Sequence, residues 1–174
     1  MKYITMFMAA VILVAGGQNT AKASELVVVD IAQLESESNA GKDLRKKIKA
    51  KRDALKAEVS KEEMALREKQ TKLMEEKKTL SPEDFQSKVK AFEANFRDKQ
   101  AKIAKKREAF EKSAMEAHAK LRSKVVEAVG EISTEKKYKL VLSRQSVVIV
   151  EKSVDITADA MTKLNDKVKS IPLK

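Results

Sequence analysis

From Ser38 to Ser133 apolar residues recur at intervals of mostly three, four or seven, with one break at Leu80-Ser81-Pro82-Glu83. Leu44, Ile48, Leu55, Val59, Leu66, Leu73 and Leu80 mark the first series; Phe85, Val89, Phe92, Phe96, Ile103 and Phe110, then Ala114, Ala117, Leu121, Val125, Ala128 and Ile132, mark the second. This is a heptad seam. A seam broken once, at a proline, predicts two long antiparallel helices joined at a tip near 80–83. The pairing is self-consistent: Leu80 meets Phe85, Leu73 meets Phe92, Leu55 meets Phe110, Ile48 meets Ala117 and Leu44 meets Leu121, each pair with the same index sum. Arms of about 43 residues would reach ~65 Å at 1.5 Å per residue. Such arms cannot form a compact core and must project from something else.

The flanks follow other periods. Glu25-Leu26-Val27-Val28-Val29-Asp30 is a β-branched run that reads as a strand. Asp30 can cap a helical turn over Ile31 to Leu34, with Gln33 at the third position as in a capping box. Near the other end, residues 138–142 and 147–150 read as two strands, and Ser143-Arg144-Gln145-Ser146 between them as a hairpin loop. Thr157 is the expected cap of a final amphipathic helix with Ala160, Met161, Leu164 and Val168 on one face, stopped before Pro172.

The predicted fold class is α+β: a long helical hairpin, the arm (38–133), inserted in a small β-rich oligomerisation head made of residues 24–37 and 134–174. A head of about 55 residues is near the size at which a lone core is marginal. Its three short strands would leave open edges, which partner copies could cover. Val28, Val141, Leu142 and Val148 are the candidate oligomerisation residues.

The first 23 residues have the order of a secretory signal: Lys2, an apolar run from Ile4 to Ala15, and small residues in Ala21-Lys22-Ala23. The run is short for a bilayer span. Without cysteine in the chain there is neither a disulfide framework nor a lipid-modified cysteine. These features predict an exported, thiol-free protein.

Within the arm the seam is thin. Beyond Leu55 the first helix supplies about one apolar residue per heptad, where a firm coiled coil has two; Glu62, Lys69 and Glu76 take the other position. Such an arm should be helical but bendable, suited to gripping rather than to spacing. The formal net charge of the chain is +11. Outside the arm and the leader, acidic and basic residues balance, so the arm carries the remaining excess. Arg45, Lys46, Lys49 and Arg52 on one helix, with Arg122 and Lys124 on the other, are candidate contacts for an acidic partner; a plain solvated helix face is the alternative.

Catalytic chemistry has no support. His118, the only histidine, lies between Ala117 and Ala119 with no cysteine to join it, and no glycine-rich loop exists to cradle phosphate. No cofactor or metal is expected. Nucleic acid is disfavoured as a partner, because net charge is its only support and the arms lack stacking platforms.

The signal segment, Leu26-Val27-Val28-Val29-Asp30, Glu37-Ser38-Asn39-Ala40-Gly41-Lys42, the charged hairpin, Tyr138-Lys139-Leu140-Val141-Leu142 and Asp155-Ile156-Thr157-Ala158-Asp159 together resemble the Skp/OmpH family of periplasmic chaperones. The resemblance spans the mature chain. It implies a periplasmic homotrimer in which three heads form a body and three arms enclose a cavity. That cavity would hold unfolded outer-membrane proteins without ATP. A patch for acidic lipid or lipopolysaccharide has been suggested for some members, but no residue here matches it one by one. The rival reading is a structural or tethering coiled coil of the envelope.

Overall fold

The computed structural model describes residues 26–174. The signal segment, Ser24 and Glu25 lie outside the described residues. The elements run β1 (Leu26–Val29), α1 (Ile31–Glu37), α2 (Asn39–Glu76), α3 (Pro82–Lys136), β2 (Leu140–Ser143) and α4 (Thr157–Lys167), with single 3-10 turns at Arg144–Ser146 and Lys152–Val154.

Polar side chains set the element boundaries. Asp30 caps α1 by accepting from the Gln33 amide at 2.9 Å. The box closes differently from expectation: the Gln33 side chain turns to Glu37, and the Asp30 amide donates instead to Thr157 Oγ1 at 2.9 Å. Ser38, fully buried, caps α2 through the Gly41 amide, 3.1 Å away. The α1–α2 corner is so tight that a Cβ at Gly41 would sit 1.9 Å from the Glu35 carbonyl oxygen, so glycine is required there. Ser81 caps α3, with Pro82 in its first turn, where the missing amide is not needed. The left-handed Lys137 (φ 58°) ends α3, and the Tyr138 amide returns to the Ser133 carbonyl at 2.9 Å.

β1 and β2 pair in parallel, Val27 beside Val141 and Val28 beside Leu142, so the whole hairpin is the crossover between them. Val27, Val29, Leu34, Ile156, Ala160 and Leu164 pack with Val125, Ala128, Val129 and Ile132 from the last turns of α3. The hairpin thus supplies part of the core in which it is rooted.

Three expectations fail here. Residues 147–150 form no strand: Val148 is 93% and Ile149 86% exposed, and residues 144–146 are a 3-10 turn rather than a hairpin loop. The sheet has two strands, extended only by an isolated parallel bridge from Val28 to Asp155, so the head is predominantly helical rather than β-rich. Thr157 does not cap α4. It is buried and serves Asp30, while Asp155 Oδ1 accepts from the Thr157 amide at 2.9 Å. A β-branched run becomes a strand only where a partner edge pairs with it, and the single chain offers 147–150 none.

Candidate functional site

α2 and α3 run antiparallel along the arm. Next to the head, Ala40, Leu44 and Ile48 pack against Phe110, Ala114, Ala117 and Leu121 in a second apolar cluster. The chain's last residues join it: Ile171 is buried within this cluster, and Leu173 packs on its edge. Further out, the buried apolar residues thin to Val59, Leu66 and Ile103. Ion pairs take over across the seam. Glu62 meets Lys99 at 2.7 Å, Glu76 meets Lys88 at 2.5 Å, and Glu58 meets Lys106.

Clefts open on both flanks of this distal seam. One, of about 560 Å³, has Leu66, Phe92 and Phe96 in its wall, the two rings 6.5 Å apart between centroids. Met64, Met74, Phe96 and Met115 are exposed along the arm. Unbranched methionines adapt to irregular apolar partners.

The six candidate cations do not make one wall. Lys49 pairs with Asp53 at 2.6 Å, Lys124 with Glu127 at 2.6 Å and Arg122 with Glu35 at 3.4 Å, while Arg45 donates to the Ser36 carbonyl. The Arg52 guanidinium lies 6.0 Å from the Phe110 ring centroid. Lys46 has no ion pair among the described residues. Arg122 and Lys124, two residues apart, leave α3 on nearly opposite sides. The first reaches α1, and the second lines a cleft beside the C-terminal residues.

Local partners also set the titration of the arm's carboxylates. The hydrogen bond from Lys47, followed by that from Ser170, holds Asp43 below the usual carboxylate range. Lys49 does the same for Asp53, Lys99 for Glu62, and Lys167 for Glu131. Lys163 is raised by its hydrogen bond to Glu135, and Lys136 by its bond to Asp159.

Of the candidate oligomerisation residues, Val28 is already buried within the single chain, Val141 and Leu142 are half-buried, and Val148 is open to solvent. Leu26 and Leu140, register partners at one end of the sheet, are also exposed. The sequence reading missed Lys47, Lys51 and Ser113, which hold the C-terminal residues against the arm. Two apolar residues, Ile171 and Leu173, are too few to signal that seat in the sequence. Among the described residues no helix is long and apolar enough to cross a membrane, and no cluster of three or more His, Cys, Asp or Glu is placed to hold a metal.

The family described as outer membrane protein (OmpH-like) matches residues 25–164. No curated protein matches the chain. Among solved structures, the chain is similar to a protein from Caulobacter crescentus CB15 described as a candidate outer membrane chaperone (OmpH-like). The TM-score is 0.80 at 16% identity, covering 98% of this chain and 95% of that one. At that identity the likeness speaks for the fold, and the family match carries the assignment: the chain belongs to the OmpH-like family.

Proposed function

We propose that this protein is an ATP-independent periplasmic holdase. It binds unfolded outer-membrane proteins in a cavity between the helical arms of a homotrimer and keeps them from aggregating. The observation that carries this reading is the distal arm. Its helices expose methionine and phenylalanine among lysines, with too few buried apolar residues to fix one packing. A chain held there meets many weak, adaptable contacts and no single deep pocket, which suits unfolded clients of varied sequence.

Oligomerisation is supported by the head. Val148, Ile149, Leu26 and Leu140 form exposed apolar surface, more than a solitary marginal head needs to leave open. Charging this surface separates assembly from folding. Val148→Asp with Ile149→Asp should yield a folded monomer, because neither side chain is buried in the single chain. Sedimentation of the wild-type protein as a stable monomer at micromolar concentration would reject the trimer.

The holdase reading is tested by diluting a denatured outer-membrane barrel protein into buffer without nucleotide. Light scattering should stay low in the presence of the protein. Scattering that rises as fast as in its absence would sink the reading.

A further inference from the structure

Among the described residues the chain passes between the head cluster and the arm cluster three times. Leu34 and Ala40 flank the α1–α2 corner, Leu121 and Val125 lie one turn apart on α3, and Leu164 and Ile171 flank the exit from α4. The first crossing is a capped corner and the second an unbroken helix. The third, from Val168 onwards, has no regular secondary structure. Val168 packs on both clusters, and Ile171, 2% exposed, is seated in that of the arm.

The polar contacts of this third crossing follow one stripe of α2. Asn39, Asp43 and Lys47 are each four positions apart and share a helix face. The Asn39 amide donates to Asn165 Oδ1 at 2.8 Å, and Ser170 Oγ donates to Asp43 at 2.7 Å. Lys47 Nζ donates to Ser170 Oγ at 2.5 Å and to the Ile171 carbonyl at 3.3 Å. Apart from the last, these hydrogen bonds are open to water, where each adds little net stability. Ile171 is therefore the main anchor. Towards α3 the fit is looser, and a cleft of about 330 Å³ opens between residues 167–172 and Lys120, Lys124 and Ala128.

A long helix bends gently without breaking, and α3 leaves one cluster for the other between Leu121 and Val125. On the side of α4 that junction is spanned by residues 168–173. We propose that residues 168–173 are a releasable brace that fixes the angle between arm and head, and that the arm swings away from α4 when Ile171 leaves its seat. The brace goes beyond the client-holding reading. In the proposed trimer it would set how far the arms stand apart, and so the size of client they admit.

Distances within one chain provide the test. Thr162 on α4 and Lys105 on α3 are exposed, and the chain has no cysteine, so Thr162→Cys with Lys105→Cys accepts one pair of spin labels. Lys105 lies about eighteen residues, or ~27 Å of helix, beyond Ser123, so a swing of about 10° moves its label by ~5 Å. Full-length labelled chains are diluted with unlabelled ones, and no client is added. In Ile171→Asp the mean distance should lengthen by ~5 Å and its distribution broaden; in the milder Ile171→Ala the shift should have the same sign and be smaller. Amide exchange from Val125 to Ile132 should stay as in the wild type. Distances unchanged in both variants overturn the brace, and a changed oligomeric state alongside them places the segment between copies instead. Faster exchange from Val125 to Ile132 makes the segment part of the head core and overturns it too. Should Ile171→Asp fail to fold, Ile171→Ala decides by the same readouts. Because client is absent, a protein that holds no client leaves this test intact.

Discussion

The two halves of the arm share their helices and their charge, yet differ in what lies between the helices. Near the head, both seam positions are apolar or small, and Ile171 seals the cluster from one side. Beyond Leu55 one seam position in two is charged: Glu62 and Glu76 pair with Lys99 and Lys88, Glu58 adds a pair with Lys106, and Lys69 has no ion pair among the described residues. Solvent-exposed ion pairs of this kind add little to stability, whereas a buried leucine contributes ~1.5–3 kcal/mol. Helix propensity is similar throughout, so secondary structure survives at the tip while packing fades. The lesson is that helicity and tertiary stability are separable along one element, and the arm places its weak packing where a client would be held.

The largest expected effect breaks the strong half. Leu44→Ala or Leu121→Ala removes a fully buried side chain and should cost ~2–5 kcal/mol. Leu66→Ala in the weak half should cost ~1–2 kcal/mol, since an open site leaves little cavity behind. Thermal unfolding followed by circular dichroism reads the difference. Equal losses would mean that the arm is one cooperative unit and the division is wrong.

Gly41→Ala comes next. Its methyl group would collide with the Glu35 carbonyl at the corner between α1 and α2. The collision opens the corner at about 1–3 kcal/mol. Amide exchange should rise in α1 and in the first turns of α2, and stay unchanged around Leu66 and Ile103. A rise at the tip instead would show that the halves are coupled.

How far the sequence foretold this division depends on the element. Ser38, Asp30 and Ser81-Pro82 are local signals, and each cap lies where side-chain chemistry places it. The predicted partners Leu44 with Leu121, Ile48 with Ala117 and Leu55 with Phe110 all meet in one cluster, because a heptad seam encodes its own register. Residues 147–150 misled because β-propensity names a preference and not a partner. The course of residues 171–174 was hidden for another reason. Two apolar residues in a short polar tail give no periodic signal, and their seat is formed largely by side chains of α2 and α3, far away in sequence. The cationic cluster looked continuous as letters but splits over the arm in space, since neighbours in sequence diverge around a helix.

Acid sharpens the comparison, because the distal half depends more on ion pairs and the half next to the head more on apolar burial. Glu62 has its carboxyl held below the ordinary value of 4.5 by Lys99. A lowered folded-state value contributes stability above that ordinary value, and the contribution is lost as pH falls through the folded value. Amide exchange near Ile103 should therefore be steady, after correction for intrinsic rates, from pH 7 to about 5, and accelerate below about 4. Residues around Leu121 should change less, because their burial is apolar. Asp43 is lowered too, by Lys47 and Ser170, so the C-terminal residues should loosen in the same range. Exchange that accelerates first around Leu121 would invert the proposed order of stability.

The smallest effect concerns charge at the head end. Attraction of an acidic client acts over a Debye length of ~10 Å at 0.1 M salt, whereas contacts with exposed methionine and phenylalanine are not screened. Replacing Lys46, Lys49, Arg52, Arg122 and Lys124 together by Gln should slow capture at low salt by about threefold and leave release almost unchanged. Most of the change should come from Lys46 and Arg52, since Lys49, Arg122 and Lys124 are engaged with Asp53, Glu35 and Glu127. Stopped-flow association with an acidic unfolded barrel protein measures it, and the wild-type rate at high salt should match the mutant rate at low salt. Unchanged capture in the mutant would mean that these cations are a solvated helix face, leaving the exposed apolar side chains of the distal arm to gather clients unaided.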